Sequence, residues 1–173
     1  MILSCSLSEA SNSRTLAREL HRAWNAGKVA SELLDLRDFD LPLCDGENAY
    51  THPAARRLTP KLTSADAVVF AVPIYNYDVN AAAKNVIELA GGQLQNKVAG
   101  FLCAAGGQKS YMSVMAIANS LMLDFRTVIV PRFVYAAGDD FREGEELSEA
   151  IRERIAGFGD EFQKLAQAVT AVR

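Results

Sequence analysis

The sequence predicts an α/β fold, a doubly wound parallel sheet of five strands with helices on both faces. Three observations carry this expectation. Short apolar runs alternate with segments of helical spacing along the chain. The run AVVFAV at 67–72 is β-branched, aromatic and apolar without a break, as a strand covered on both faces must be. The runs ending near residues 6, 72 and 105 each open into a loop of small, polar or glycine residues. Open sheets of this kind hold ligands beyond the carboxyl ends of their strands.

The elements follow in order. Residues 1–6 form the first strand. From Asn12 to Ala26 the spacing is helical, with Leu16, Leu20, Ala23 and Trp24 on one face. Residues 29–36 read as a second strand, and 37–52 as irregular, with Pro42 and Gly46. A short helix is expected over 54–64. The third strand, 67–72, is expected to stop at Pro73. Helical spacing returns over 79–89 and ends at Gly91-Gly92, a C-cap signal. The fourth strand covers 97–105 and ends at Gly106-Gly107, a helix covers 112–125, and the fifth strand 127–134. A long helix over 143–172 closes the chain, and Gly157 and Gly159 predict a kink or break in it. Crossover helices of this pattern place one layer on each side of the sheet. The chain reads as a single domain, 1–173, with no repeat, linker or low-complexity tract.

Composition excludes several classes of function. Of the 173 residues, 50% are hydrophobic and 23% charged, so the chain is not disordered. The net charge is -3 with no basic patch, which argues against a nucleic-acid partner. The acidic residues of the last third alternate with Arg and Lys, as on a solvated helix face. No apolar stretch approaches the ~20 residues of a membrane span, and the start MILSCS lacks a basic leader region. A soluble, cytoplasmic protein is expected. Cys5, Cys44 and Cys103 form no C-x-x-C, so no metal site or redox dithiol is expected. Cys5 and Cys103 read as small buried residues.

The loop after the first strand runs Ser6-Leu7-Ser8-Glu9-Ala10-Ser11-Asn12-Ser13-Arg14 and opens a helix. Hydroxyls and free N–H groups at the positive end of a helix suit a phosphate. Plain N-capping by Ser11 or Asn12 is the competing reading. Neither G-x-G-x-x-G nor G-K-[ST] is present. The loop after the third strand, Pro73-Ile74-Tyr75-Asn76-Tyr77-Asp78, offers an aromatic face and backbone donors, with Lys84-Asn85 following. Lys84 is open to reading as a surface ion pair. The loop after the fourth strand, Ala105-Gly106-Gly107-Gln108, lets backbone approach a planar ligand closely.

Two of these segments carry a resemblance. Ser6, Ser11, Arg14, Leu16 and Ala17 fit the phosphate loop G-S-x-R-x-x-S-x-x-x-x-L-A of the NADPH-dependent FMN reductase family. Pro73, Tyr75, Asn76, Lys84 and Asn85 fit its P-x-Y-N-G-S-x-P-x-x-L-K-N. The chain departs from the pattern at Cys5 for Gly, Ser8 for Arg, Tyr77-Asp78 for Gly-Ser, Asn80-Ala81 for Pro-Gly and Ala83 for Leu. The resemblance covers residue 1 to about residue 131. It implies a flavodoxin-like sheet with strand order 2-1-3-4-5, FMN as cofactor and NAD(P)H as co-substrate. It also implies a small-molecule electron acceptor such as a flavin, quinone, azo compound or metal oxyanion.

The implied FMN contacts are Ser6, Ser8, Ser11, Asn12, Ser13 and Arg14 in the first loop. In the second they are Pro73, Ile74, Tyr75, Asn76, Tyr77 and Asp78, with backbone N–H groups of 76–79 at the ring's polar edge. In the third they are Ala105, Gly106, Gly107 and Gln108. No general acid or base is named, because the flavin carries the chemistry. His21 and His52 do not follow strands and are expected to face solvent.

The segment 112–125 (MSVMAIANSLMLDF) is apolar nearly all round, which predicts an uncovered surface and a homodimer or tetramer. Burial of this helix by the C-terminal segment is the alternative. Rival functions are a flavodoxin-type electron carrier, a receiver-like signalling domain and a catalytically degenerate flavin-binding module. The serines after strand one and Pro73-Ile74-Tyr75 after strand three stand where a receiver needs acids.

Overall fold

The computed structural model describes residues 1–142 and 146–172. Strands β1 (Ile2–Ser4), β2 (Leu33–Asp35), β3 (Ala67–Tyr75), β5 (Val98–Ala105) and β6 (Val128–Ile129) lie side by side in the order β2-β1-β3-β5-β6. Every neighbouring pair along that row is parallel. This is the expected doubly wound order. The labels differ for two reasons. A two-residue strand, β4 (Asp78–Val79), folds back antiparallel onto the end of β3. The fifth strand is also broken, and β7 (Val134–Ala137) continues along β5 where β6 leaves off.

The break has a visible cause. Register shifts by two residues between the pairs Ala99↔Ile129 and Leu102↔Val134, and Pro131, which has no N–H to give, lies in the bulge between. The strand expected to end at 134 therefore runs to Ala137, level with Ala105 on β5. Strand β3 also outruns its expected end. Pro73 does not stop it, because β1 has already ended at the Ser4↔Ala71 pair and nothing there needs a Pro73 N–H. The Pro73 carbonyl accepts from Asn80 N–H instead, at 3.2 Å.

Helices α1 (Asn12–Ala26) and α5 (Glu149–Ala171) cover one face of the sheet; α2 (Pro53–Ser64), α3 (Ala81–Ala90) and α4 (Met115–Phe125) cover the other. Period-2 alternation in β3 sends Val68, Phe70 and Val72 to the α2–α3–α4 side and Ala67, Val69 and Ala71 to the α1–α5 side. The first three residues of the expected 143–172 helix lie outside the described residues. From Glu149 onward α5 is continuous, with Ser148 Oγ accepting from Ile151 N–H at its start. Gly157 and Gly159 do not break it. A Cβ on Gly159 would stand 2.9 Å from Trp24 Nε1, so that glycine serves close approach of α5 to α1.

Gly100 does the same at the sheet. A Cβ there would lie 2.7 Å from the Phe158 ring and 3.0 Å from Phe162, both buried. Gly100→Ala is expected to cost about 1–3 kcal/mol by overpacking. Urea unfolding reads this directly, and an unchanged midpoint would show that α5 can shift freely.

Candidate functional site

Three loops meet at the carboxyl ends of β1, β3 and β5 around one cavity of about 340 Å³, within the usual size of a ligand site. Ser6, Ser11, Asn12 and Ser13 line it from the first loop, Pro73, Ile74 and Tyr75 from the second, and Ala105 and Gly106 from the third. Ala10, Thr15 and Ala104 complete these walls. Ser8, Arg14, Asn76, Tyr77, Asp78, Gly107 and Gln108, also named from sequence, are not among its lining residues.

The first loop is shaped by α1 and by Arg14. Ser11 caps the helix, its Oγ accepting from Arg14 N–H at 3.2 Å, and its carbonyl accepts from Thr15 N–H. The N–H groups of Asn12 and Ser13, in the first turn, have no intrahelical acceptor. No acidic residue occupies that turn. Ser11 and Ser13 share a hydroxyl–hydroxyl bond of 3.1 Å. Capping and the donor array thus coexist in one segment.

Arg14 turns away from the cavity. It is buried, and its guanidinium donates to the carbonyls of Glu9, Ser6 and Ser8 at 3.0, 3.1 and 2.9 Å and to Asp35 Oδ2 at 2.7 Å. It is a clamp that holds the loop, with its charge used by Asp35 at the end of β2. Partial burial pushes the Asp35 carboxyl up. The hydrogen bonds from Arg37, then the charge and hydrogen bond of Arg14, more than offset this and hold it below the usual carboxylate range. Ser8 Oγ is spent on the Ala10 carbonyl at 2.9 Å.

The second loop is a two-residue hairpin between Tyr75 and Asp78. Asn76 and Tyr77 both have positive φ, 52° and 65°, as a type I′ turn requires. Tyr75 and Tyr77 are 54% and 68% exposed, so neither ring is packed by the fold. Of the N–H groups between 76 and 79, that of Val79 is taken by Asp78 Oδ1. Asn80 ties the hairpin to the first loop, its Nδ2 donating to the Cys5 carbonyl at 2.7 Å. Lys84 makes the ion pair, with Glu88 at 2.8 Å, while Asn85 pins the 37–52 segment through Pro42 and Cys44.

The third loop is held from β7. The Tyr135 hydroxyl donates to the Gly107 carbonyl and accepts from Ser110 N–H. That anchor leaves Gly106 on the cavity and Gly107 off it.

Sequence reasoning missed Phe141, Arg142 and Glu146, which form a further wall. The rule that residues after a strand matter would have found them, had the fifth strand been followed to Ala137. Phe141 bridges to Leu147, and Arg142 N–H donates to the Glu146 carbonyl, so residues 141–142 and 146–147 are joined to each other. Neither histidine lines the cavity. His21 bonds Ser31, and His52 caps α2. Burial pushes the Cys5 thiol up, with the Asp35 charge adding to it, and burial does the same to Cys103. Both stay protonated and serve as packing.

Comparison with known proteins shows the family and the fold. A family model described as NADPH-dependent FMN reductase matches residues 1–141. An NAD(P)H-dependent FAD/FMN reductase of Geobacillus thermodenitrificans is 33% identical over 132 residues, 75% of this chain and 71% of its own. An NADPH azoreductase of a Bacillus species is 27% identical over 122 residues, 69% of this chain and 68% of its own. The solved structure of a flavoenzyme NAD(P)H:(acceptor) oxidoreductase from Paracoccus denitrificans superposes with a TM-score of 0.74 at 20% identity. That match covers 94% of this chain and 96% of the other, and it shows the shared fold. On these matches the chain belongs to the NADPH-dependent FMN reductase family, FMN-containing oxidoreductases that work with NAD(P)H.

Proposed function

We propose that the chain holds the FMN phosphate at the N-terminus of α1 and the flavin ring between the ends of β3 and β5, and reduces a small planar acceptor. The convergence of the serine loop, the Pro73–Tyr75 segment and Gly106 on one cavity carries this reading. The donor set fits the group. Hydroxyls of Ser6, Ser11 and Ser13 and the N–H groups of Asn12 and Ser13 suit phosphate oxygens. Tyr75 offers an aromatic face, and Gly106 lets backbone come close. When bound, FMN supplies the hydride acceptor and the electron donor. The protein's residues bind and orient it and narrow its access to water. No side-chain acid or base is assigned.

The visible spectrum of the purified protein, with FMN added if it is colourless, tests the reading. Two flavin bands that bleach on addition of NADPH are expected. Bound flavin that does not bleach would mean a carrier or a degenerate member, and no flavin uptake would overturn the reading.

The Asn76-Tyr77 turn exposes an aromatic ring on backbone that L-residues resist. Tyr77→Gly is expected to raise stability by about 1 kcal/mol, or ~2–4 °C in melting temperature. A fall in melting temperature would show that the ring packs on protein.

The reading extends to assembly. On α4 and the turn before it, Met112, Met115, Met122 and Leu123 are 60%, 44%, 40% and 76% exposed, and α5 lies on the opposite face of the sheet. This patch favours a homodimer or tetramer, and a monomeric mass by sedimentation would refute it. The three free cysteines suit a reducing cytoplasm, which cell fractionation checks. Among the described residues, no helix is long and apolar enough to cross a membrane.

A further inference from the structure

We infer that Arg142, in the segment that follows β7, is the cation that pairs with the cofactor phosphate in this chain. The inference rests on the FMN reading above and adds a residue that the phosphate loop does not contain. The argument begins with charge. A phosphate ester carries close to two negative charges at neutral pH. A helix N-terminus offers only about half a positive charge against it. The serine loop adds hydroxyls, which are neutral.

The two places where a cation is expected in that loop, position 8 by the family pattern and position 14 by this sequence, supply none. Position 8 is serine, and its hydroxyl is spent on the Ala10 carbonyl. Arg14 is buried beneath the loop with its donors on Ser6, Ser8, Glu9 and Asp35. Swinging it out would strip three carbonyls of their partner and leave Asp35 without that charge.

Arg142 comes from elsewhere in the fold. Among the described residues it is the one cation that lines the cavity, on the same cavity as Ser11, Asn12 and Ser13. Its side chain makes no hydrogen bond or ion pair among the described residues, although Glu146 lines the same cavity. The backbone beneath it is fixed, because Arg142 N–H donates to the Glu146 carbonyl at 2.8 Å and Phe141 bridges Leu147. An arginine whose fork has no partner among the described residues, beside a neutral donor array, is matched to a tetrahedral dianion, which it would grip through two parallel N–H bonds. Strand β7 runs to Ala137, level with Ala105, so the segment that follows it emerges at the carboxyl end of β5.

The test compares two flavins that differ only in the phosphate. Dissociation constants of FMN and riboflavin are measured by quenching of flavin fluorescence, for the wild type, Arg142→Gln and Arg142→Lys. In Arg142→Gln, FMN is expected to bind about tenfold more weakly or worse, the loss typical of one charge-assisted bond. Riboflavin is expected to change less than twofold, and Arg142→Lys to recover part of the loss. The preference of the wild type for FMN over riboflavin should also shrink as salt is raised. Equal changes for both flavins, or none, would overturn the assignment. A wild type that binds riboflavin as tightly as FMN would overturn it while leaving the flavin reading intact. A wild type that binds neither would overturn both.

Discussion

An Arg14→Met variant is expected to lose about 3 kcal/mol of stability, the lower end of the cost of breaking a buried ion pair. The lower end applies because Asp35 keeps Arg37 as a second partner, at 2.8 Å. Three loop carbonyls lose their donor as well. FMN affinity should fall with stability even though Arg14 does not face the cavity, because the serine loop is ordered by this side chain. Arg14→Lys should rescue little, since one ammonium cannot span four acceptors set around a planar fork. Urea unfolding and a flavin titration on the same samples check both parts. Intact stability in Arg14→Met would show that the loop holds its shape without the clamp.

The same pair sets a dependence on acidity. The folded state holds the Asp35 carboxyl below its ordinary range. A depressed carboxylate contributes its stability above the unfolded value, about pH 3.9, and loses it as pH falls through the folded value. The gap between wild type and Arg14→Met should therefore narrow on acidification below about pH 4.

A Gly106→Leu variant is expected to fold as well as the wild type and to bind FMN some ten- to a hundredfold more weakly, the range set by overpacking of about 1–3 kcal/mol. A Cβ at Gly106 meets nothing within 4 Å, and its φ is not in the left-handed region, so the substitution strains no backbone. Yet Gly106 lines the cavity, and a branched side chain there takes space from a ligand. Gly107 is the internal control. It is equally open but held off the cavity by Tyr135, so Gly107→Leu should leave FMN affinity nearly unchanged. Equal losses at both positions would mean that the loop moves as a unit and that the cavity wall is not Gly106.

Most of the fold was legible because hydrophobic period and turn chemistry agree along the chain. Helix α1 was readable to the residue, since Ser11 supplies its cap and Leu16, Leu20 and Trp24 its buried stripe. What was not legible depended on partners distant in sequence. Pro73 reads as a stop, and only the early end of β1 makes it tolerable within β3. Gly159 reads as a helix breaker, and only Trp24 explains it as a point of close approach. The site divides in the same way. Ser6, Ser11, Asn12, Ser13, Pro73, Tyr75 and Gly106 follow from their place after a strand. Arg14 looked like a ligand cation because sequence does not reveal that Asp35, twenty-one residues on, stands beneath it. Phe141 and Arg142 were hidden by a two-residue bulge that moved the true end of the fifth strand.

The burial of Cys5 and Cys103 bears on how long the molecule survives its own work. A reduced flavin in air generates hydrogen peroxide, and each of these cysteines is next in sequence to a residue that lines the cavity, Ser6 and Ala104. Peroxide attacks the thiolate. Because burial pushes both thiols up, these two cysteines are poorly able to react with it. Cys44, partly exposed on the 37–52 segment and within 3.6 Å of the Tyr50 hydroxyl, is left as the cysteine on which oxidative wear would fall.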